Sequence, residues 1–465
     1  MEATFVIVGG GISGVSCAES IAFLAPEQSI ILITASPLIK AVTNVVPLGK
    51  TITRFDVEER ATRSLIELYP SITVINDIVT SVKKDEKYIL IQSGKKIVYK
   101  KLCICTGARP KVIFENNDRV LGIRDTESVE TFLKKLKGSK KIIVVGNGGI
   151  ATELVHEISG VNVVWVIKDK HISATFVDPG AAEFFQEKLV KTREVIESSP
   201  VKRMKYTITS GGSEKGGPAL GPDWHDNFKL KNDRVLSTVE VEYQCEISKI
   251  IEKVRESSEE WAVYAELSNG KVVGCDLIVS ATGVIPNSDL SGLEDLARND
   301  VDGGYKVDWK LETSEKDIFA AGDACSADWD IAKHWFQMRL WTQAHQMGRY
   351  AAKSMVSTLQ GEEFYQDFCF ELFTHVTKFF GFKVVLLGLY NGQKLENDYE
   401  ILLRVTKGKE YVKLILHEGK MQGAVLIGET DLEEMCENLI LNQLDLSMYG
   451  EDLLNPDIDI EDYFD

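Results

Sequence analysis

A short apolar run, Phe5-Val6-Ile7-Val8, leads straight into Gly9-Gly10-Gly11-Ile12-Ser13-Gly14, and the same order recurs 137 positions later. There Ile142–Val145 leads into Gly146-Asn147-Gly148-Gly149-Ile150-Ala151. A strand, a sharp glycine turn and a helix in that order open a βαβ unit that binds a dinucleotide. Each glycine has a separate task. Gly9 permits the tight turn, Gly11 lets the backbone approach a pyrophosphate, and Gly14 lets the helix pack closely on the strand. The helix N-terminus then faces the phosphates with its unpaired N–H groups. Gly146, Gly148 and Ala151 repeat the pattern. One such junction could be a plain turn, but two in the required context predict an α/β chain with two Rossmann-like domains.

The far ends of the two units are less regular. An acidic residue usually closes the second strand and takes the adenosine ribose. After the first unit the chain reads Ile33-Thr34-Ala35-Ser36-Pro37, which leaves Ser36 or a backbone group as the substitute. After the second it reads Val166-Ile167-Lys168-Asp169-Lys170. Asp169 suits the ribose hydroxyls of NAD, Lys168 and Lys170 suit the 2′-phosphate of NADP, and a solvated charged turn is the third reading.

With 465 residues the chain has room for about three domains at roughly 150 residues each. Strands are expected near 72–76, 87–91, 240–251, 261–267, 276–281 and 317–321, and a helix at 336–358. The last hundred residues alternate strands (383–389, 400–406, 411–416, 423–428) with a helix at 431–443, which predicts a C-terminal α+β domain. Residues 198–235 contain Gly211-Gly212-Ser213 and Gly216-Gly217-Pro218 and read as a flexible insertion. The end, 451–465, holds seven acidic residues and no Lys or Arg, interleaved with Leu453, Leu454, Ile458, Ile460, Tyr463 and Phe464. It suits docking on a basic, partly apolar groove, on a partner or on this protein itself. The net charge of −17 repels phosphate backbones, so direct nucleic-acid binding is not expected. No run reaches the roughly 18 apolar residues of a membrane span, and the first strand begins almost at Met1, so the cytosol or nucleus is the expected compartment.

Five ordered parts carry a family resemblance: Gly9 to Gly14, Thr106-Gly107-Ala108, Gly146 to Glu153, Ala281-Thr282-Gly283 with Pro286-Asn287, and Ile318-Phe319-Ala320-Ala321-Gly322-Asp323. Together they resemble the pyridine nucleotide–disulfide oxidoreductase superfamily. The resemblance implies FAD at the first fingerprint and NAD(P)H, as substrate, at the second. It implies a discontinuous FAD domain (1–120 and 290–362), an NAD(P) domain (121–289), a C-terminal domain (363–450) and an acidic tail (451–465). Asp323 is then expected on the ribityl chain of FAD and Glu153 beside flavin and nicotinamide. Lys40 lies near where related reductases place a basic residue at FAD, though it also reads as a surface lysine. A helix from 341 is expected to aim its N-terminus at the flavin N1–C2 region, with Trp341 and Gln343 in contact. Trp335 reads as packing. Ile39–Asn44, Ser280–Asn287, Met338–Gln343, Ile427–Leu432 and Ile458–Asp465 look like one member of that superfamily in particular. That likeness implies a nuclear and cytoplasmic flavoprotein with slow NAD(P)H oxidase activity and a protective link to the tRNA ligase complex.

The cysteines set the chemistry. A disulfide reductase needs one thiolate to attack and a second to resolve the mixed disulfide. The eight cysteines are 17, 103, 105, 245, 275, 325, 369 and 436, with no C-x-x-C or C-x4-C pair and none where the superfamily places its dithiol. Cys103 and Cys105 read as buried structural thiols. No redox cysteine and no metal site are expected. Two readings follow. One is an NAD(P)H-dependent flavin oxidoreductase without a redox disulfide, whose electrons leave slowly to oxygen or another acceptor. The other is a binding protein whose nicotinamide-loaded form regulates a partner. The superfamily's His-x-His-Pro ending, a reason for dimerising, is missing, which favours a monomer.

Overall fold

The computed structural model describes residues 1–190, 220–222, 224–228, 230, 237–251, 261–396 and 398–455. Much of the expected insertion and the last ten residues of the acidic tail lie outside the described residues.

The strand Glu2–Val8 is central in the first sheet, parallel to Ile30–Thr34 on one side and to Lys96–Ile104 on the other. Ile72–Asn76 continues the parallel order beyond Ile30–Thr34, and Ile318–Ala320 returns from far along the chain to pair with Lys96–Ile104. Residues Phe5–Ile7 and Leu102–Ile104 are fully buried, as expected of a parallel sheet covered on both faces. The second sheet repeats the plan. Lys141–Val145 lies between Asn162–Val166 and Leu277–Ser280, with Val239–Glu242 and Val120–Gly122 outside them, all parallel. The single strand expected over 240–251 is two strands in different sheets. The chain turns at Gln244, whose φ is 53°, and Ile247–Ile251 starts an antiparallel three-stranded sheet.

The third sheet is antiparallel, in the order Thr374–Phe379, Phe382–Gly388, Lys420–Ile427, Glu410–His417 and Glu400–Thr406, with the helix Glu433–Asn442 against it. Its first strand was not expected, because Thr374, His375, Thr377 and Lys378 mask an apolar pattern. Three of these polar side chains, Thr374, His375 and Thr377, are nonetheless buried. The region after Pro37, where no strand was expected, is a hairpin of Leu38–Pro47 with Thr53–Ala61.

Close contacts within and between these units fix their arrangement. The helix Trp341–Gln360 lies on the first helix, Ile12–Leu24, at a glycine: a Cβ on Gly348 would come within 2.2 Å of the Ser13 carbonyl oxygen. The buried Glu437 carboxylate accepts the backbone N–H groups of Lys50 and Thr51, each at 2.6 Å, and the Thr51 hydroxyl at 2.5 Å. Asp178 of the second unit accepts from the Tyr411 hydroxyl at 3.0 Å and pairs with Lys413 on the third sheet. Burial would raise the Asp178 carboxyl, but the charge and hydrogen bond of Lys413 outweigh it and hold it below the usual range.

The helix expected from 336 begins at Trp341. Gln343 Oε1 accepts Met338 N–H at 2.7 Å and its Nε2 donates to Phe336 O at 2.8 Å, which fixes 336–340 outside the helix. The start of the acidic tail packs on its own domain: Leu453 is buried and Arg404 donates to Leu454 O at 2.6 Å. Among the described residues no helix is long and apolar enough to cross a membrane.

Two predictions follow from this packing. In an ordinary helix interior Gly→Ala stabilises by about 0.8–1.0 kcal/mol. Gly348→Ala reverses that sign, lowering stability by about 1–3 kcal/mol through overpacking, as read by chemical denaturation. A more stable variant would show that the two helices part without penalty. The second concerns acid. Burial pushes His345 down to about 4 and His375 down to about 3. A folded-state value below the unfolded one contributes stability that is complete above about pH 6.5 and is lost as pH falls toward the folded value. His375→Gln is therefore expected to flatten the loss of stability between pH 6.5 and 4 in denaturation curves; an unchanged slope would contradict the burial of a neutral ring.

Candidate functional site

The two glycine loops are built alike. Gly9 and Gly146 both have φ 123°, and a Cβ on either would strike a backbone oxygen at 2.1 Å, Cys105 O for the first and Ala281 O for the second. A Cβ on Gly14 would come within 1.9 Å of Gly9 O, so the helix needs glycine to start there. At Gly11 and Gly148, by contrast, a Cβ would meet nothing within 4 Å. These residues are the N-caps of the helices Ile12–Leu24 and Gly149–Glu157, and neither helix has a side-chain cap. Both loops thus present open space next to helix N–H groups without side-chain acceptors, the arrangement that accepts a pyrophosphate.

Both loops border one cavity of about 550 Å³. Gly9, Gly11, Ile12 and Ser13 line one end, Gly148, Gly149, Ile150 and Glu153 another. Thr106, Gly107, Ala281 and Gly283 form the wall between them. That wall is cross-tied: Thr106 Oγ1 donates to Asn287 O at 2.6 Å and Asn287 Nδ2 returns to Thr106 O at 3.0 Å. Ala108 pairs with Pro286 in the two-stranded link between the first two sheets. Thr282 Oγ1 donates to Lys111 O at 2.8 Å, outside the cavity lining.

Asp323 reaches the cavity from the turn after Ile318–Ala320, where Gly322 has φ 75°. Burial raises its carboxyl above the usual value, while Arg124 and Arg339 oppose that rise. Both arginines line the cavity and neither was expected. Arg124 packs over Gly107: a Cβ there would stand 2.7 Å from its Nη2. Arg339 is held by Asp302 at 2.9 Å and donates to Asp323 O at 3.2 Å.

Lys40 does not border the cavity. Its backbone N–H bonds Gly10 O at 3.0 Å, but its buried ammonium is paired with Glu59 at 2.6 Å. Among the described residues the cations lining the cavity are the two arginines instead. Ser36 lies in the turn after Ile30–Thr34 and its hydroxyl accepts Leu38 N–H at 3.1 Å. The acid that borders the cavity beside that turn is Asp77, which follows the neighbouring strand, Ile72–Asn76. At the second unit Asp169 accepts from Asn147 Nδ2 at 2.9 Å, inside the glycine loop, and Lys168 is exposed.

Trp341 lines the cavity at the N-terminus of its helix, whose N-cap Leu340 gives no side-chain bond. Gln343 does not line it; its amide is spent on Phe336 and Met338. Beside Trp341, at 5.1 Å between rings, stands His375 from the third sheet, with Nδ1 3.1 Å from Thr342 Oγ1 and its ring stacked 6.0 Å from Phe176. No motif marks His375. Trp224, inside the expected insertion, also lines the cavity and donates to Glu153 Oε2 at 2.5 Å. Trp335 stacks on Trp329 at 5.6 Å in the core. Cys105 borders the cavity with its sulfur 3.5 Å from Cys103 and 3.6 Å from the Ser13 hydroxyl. The bond with Cys103 and burial push the Cys105 thiol well above its usual value, and burial raises Cys325 as well. These thiols are poor nucleophiles. Among the described residues no group of three or more His, Cys, Asp or Glu side chains could hold a metal ion.

Comparison with known proteins agrees with this geometry. A family model described as pyridine nucleotide-disulphide oxidoreductase matches residues 3–202 and 232–348. The human pyridine nucleotide-disulfide oxidoreductase domain-containing protein 1 is 50% identical over 99% of this chain and 98% of its own. The Dictyostelium discoideum protein of the same name is 37% identical over 99% of both chains. Among solved structures, the ferredoxin reductase for the CYP199A2 system of Rhodopseudomonas palustris shares the fold, with a TM-score of 0.70 at 19% identity over 99% of both chains. Sequence relationship from end to end and a shared nucleotide-binding architecture lead to one conclusion: the chain belongs to the pyridine nucleotide-disulphide oxidoreductase family.

Proposed function

We propose that this protein holds FAD along the cavity from the first glycine loop to the helix Trp341–Gln360, accepts NAD(P)H at the second loop, and passes electrons onward without a protein dithiol. The observation that carries this reading is the convergence in one cavity of two uncapped helix N-termini, the Asp323 carboxylate and Glu153. The N–H groups after Gly11 suit a pyrophosphate, with Arg124 and Arg339 adding positive charge. Asp323 suits a sugar-alcohol chain, accepting hydroxyl hydrogens. The N-terminus of Trp341–Gln360 supplies a dipole that favours negative charge on whatever lies before it. His375, neutral at ordinary pH, adds a ring nitrogen to that end. Glu153 and the N–H groups after Gly148 suit the nicotinamide half. When bound, the flavin would supply hydride acceptance from a reduced nicotinamide. The chain's own contribution is to orient the rings and keep water from their contact.

The thiols nearest the cavity are held protonated, which supports slow release of electrons to oxygen or to a diffusible or protein acceptor rather than disulfide exchange. The relatives named for the domain alone leave the acceptor open. We extend the reading to protection of a tRNA ligase complex from oxidation, and to residence in nucleus and cytoplasm, on the likeness to that member alone.

Asp323→Ala is expected to lose most of its flavin, since a charge-assisted hydrogen bond is worth about 1.5–3 kcal/mol. Wild-type protein should be yellow and bleach when NADH is added under argon, then recover its colour over minutes in air. Colourless wild-type protein would refute the reading, and full flavin retention by the variant would remove Asp323 from the site. For the partner, capture from an extract with and without NAD(P)H, read with antibodies to tRNA ligase subunits, should show nicotinamide-dependent recovery; equal absence in both arms would refute that extension.

A further inference from the structure

Part of the expected insertion takes a defined place at the cavity. Leu220 N–H bonds Arg124 O at 2.7 Å. Gly221 lies so close to the hairpin strand Thr53–Ala61 that a Cβ would meet Val57 at 2.5 Å. Ser159, just past the helix Gly149–Glu157, donates to Leu230 O at 3.0 Å. Between these anchors Trp224 is buried, edge-on to His225 and tilted against Phe228. Its indole N–H, a donor with no acceptor function, meets Glu153 Oε2 at 2.5 Å. The segment therefore touches the hairpin of the first unit, the loop that carries Arg124, and the helix that carries Glu153.

We infer that Trp224 is a latch on the nicotinamide subsite: its ring stands in the cavity beside Glu153 and its N–H holds Glu153 Oε2, so a nicotinamide entering there must displace Trp224. The inference rests on the reading that the second glycine loop takes NAD(P)H. A carboxylate accepts at both oxygens, so the competition is for space as well as for the bond: Gly148, Gly149, Glu153 and Trp224 face the same cavity. Competition of this kind is reciprocal. The internal bond weakens the ligand by the same factor by which the ligand weakens the internal bond.

The test uses full-length, flavin-loaded protein and NAD⁺ as the probe. Trp224→Phe keeps an aromatic ring and removes the N–H, and should tighten NAD⁺ binding in calorimetric titration by roughly tenfold, the weight of one hydrogen bond to a charged group. Flavin absorbance should be unchanged. In the wild type, NAD⁺ should speed amide hydrogen exchange at Leu220, Gly221 and Trp224, a readout independent of the variant's folding. Equal or weaker NAD⁺ binding by the variant, or slower exchange on NAD⁺ addition, overturns the latch and makes Trp224 a fixed wall of the site. Wild-type protein that binds no NAD⁺ overturns instead the assignment of the second loop.

Discussion

The arrangement of this molecule depends on a backbone contact at Ser13. Gly14 allows the first helix to start against Gly9 O, and Gly348 allows the helix Trp341–Gln360 to sit on the Ser13 carbonyl. Two helices separated by more than three hundred residues are thereby brought to the distance at which both present their N-termini to one cavity. The turn that carries Asp323 is tied in by the same contact, since a Cβ on Gly322 would lie 2.9 Å from the Ser13 side chain. Larger residues at these glycines would part the two helices, and the carboxylate would then no longer face the phosphate-binding loop. Close packing here is a condition for function before it is a source of stability.

The third sheet completes the cavity. His375, Thr377 and Phe379, on its first strand, border the space between the two nucleotide loops. The sheet is held by unlike means on its two sides. Toward the first unit the links are directional polar contacts: the buried Glu437 carboxylate with three donors, Thr374 Oγ1 to Thr51 O at 3.3 Å, and His375 beside Thr342. Toward the second the link is a mostly aromatic surface, with Phe185 against Phe380 at 5.0 Å and Phe176 against Phe379 at 5.3 Å, reinforced by Asp178 and Lys413. A carboxylate with its donors fixes one orientation, because a buried unsatisfied acceptor is expensive. An apolar surface tolerates small rotations better, since hydrophobic burial is non-directional.

Much of the nucleotide-binding plan was legible in the sequence because glycines at this spacing, directly after an apolar strand, serve few purposes besides a phosphate-binding turn. Gly9 and Gly146 sit at φ 123°, where side chains are strained, and the apolar runs before them are buried strands. The C-terminal strand pattern was legible because short apolar runs along 400–427 are separated by the turn glycines Gly408 and Gly419. What was not legible came from positions whose role depends on distant packing. Arg124, Arg339 and His375 reach the cavity from three unrelated segments, and nothing local distinguishes them from surface or core residues. Lys40 and Gln343 were placed by proximity in sequence, and the fold turned each toward a nearer partner, Glu59 for the cation and the backbone of Phe336 and Met338 for the amide. Trp224 was hidden by the composition around it: a glycine-rich stretch read as a flexible insertion holds one aromatic that lines the cavity.

The Glu437 contact has a consequence for how the protein is made. Its partners, Lys50 and Thr51, lie 387 and 386 residues earlier in the chain. During synthesis the first glycine loop can form once Lys96–Ile104 has emerged, because Glu2–Val8 pairs with that strand as well as with Ile30–Thr34. The wall that His375 contributes lacks this anchor until the helix Glu433–Asn442 has left the ribosome and reached Lys50 and Thr51. Between the emergence of Ile104 and that of Glu437 the nascent chain therefore has its first glycine turn in place but an open-sided cavity.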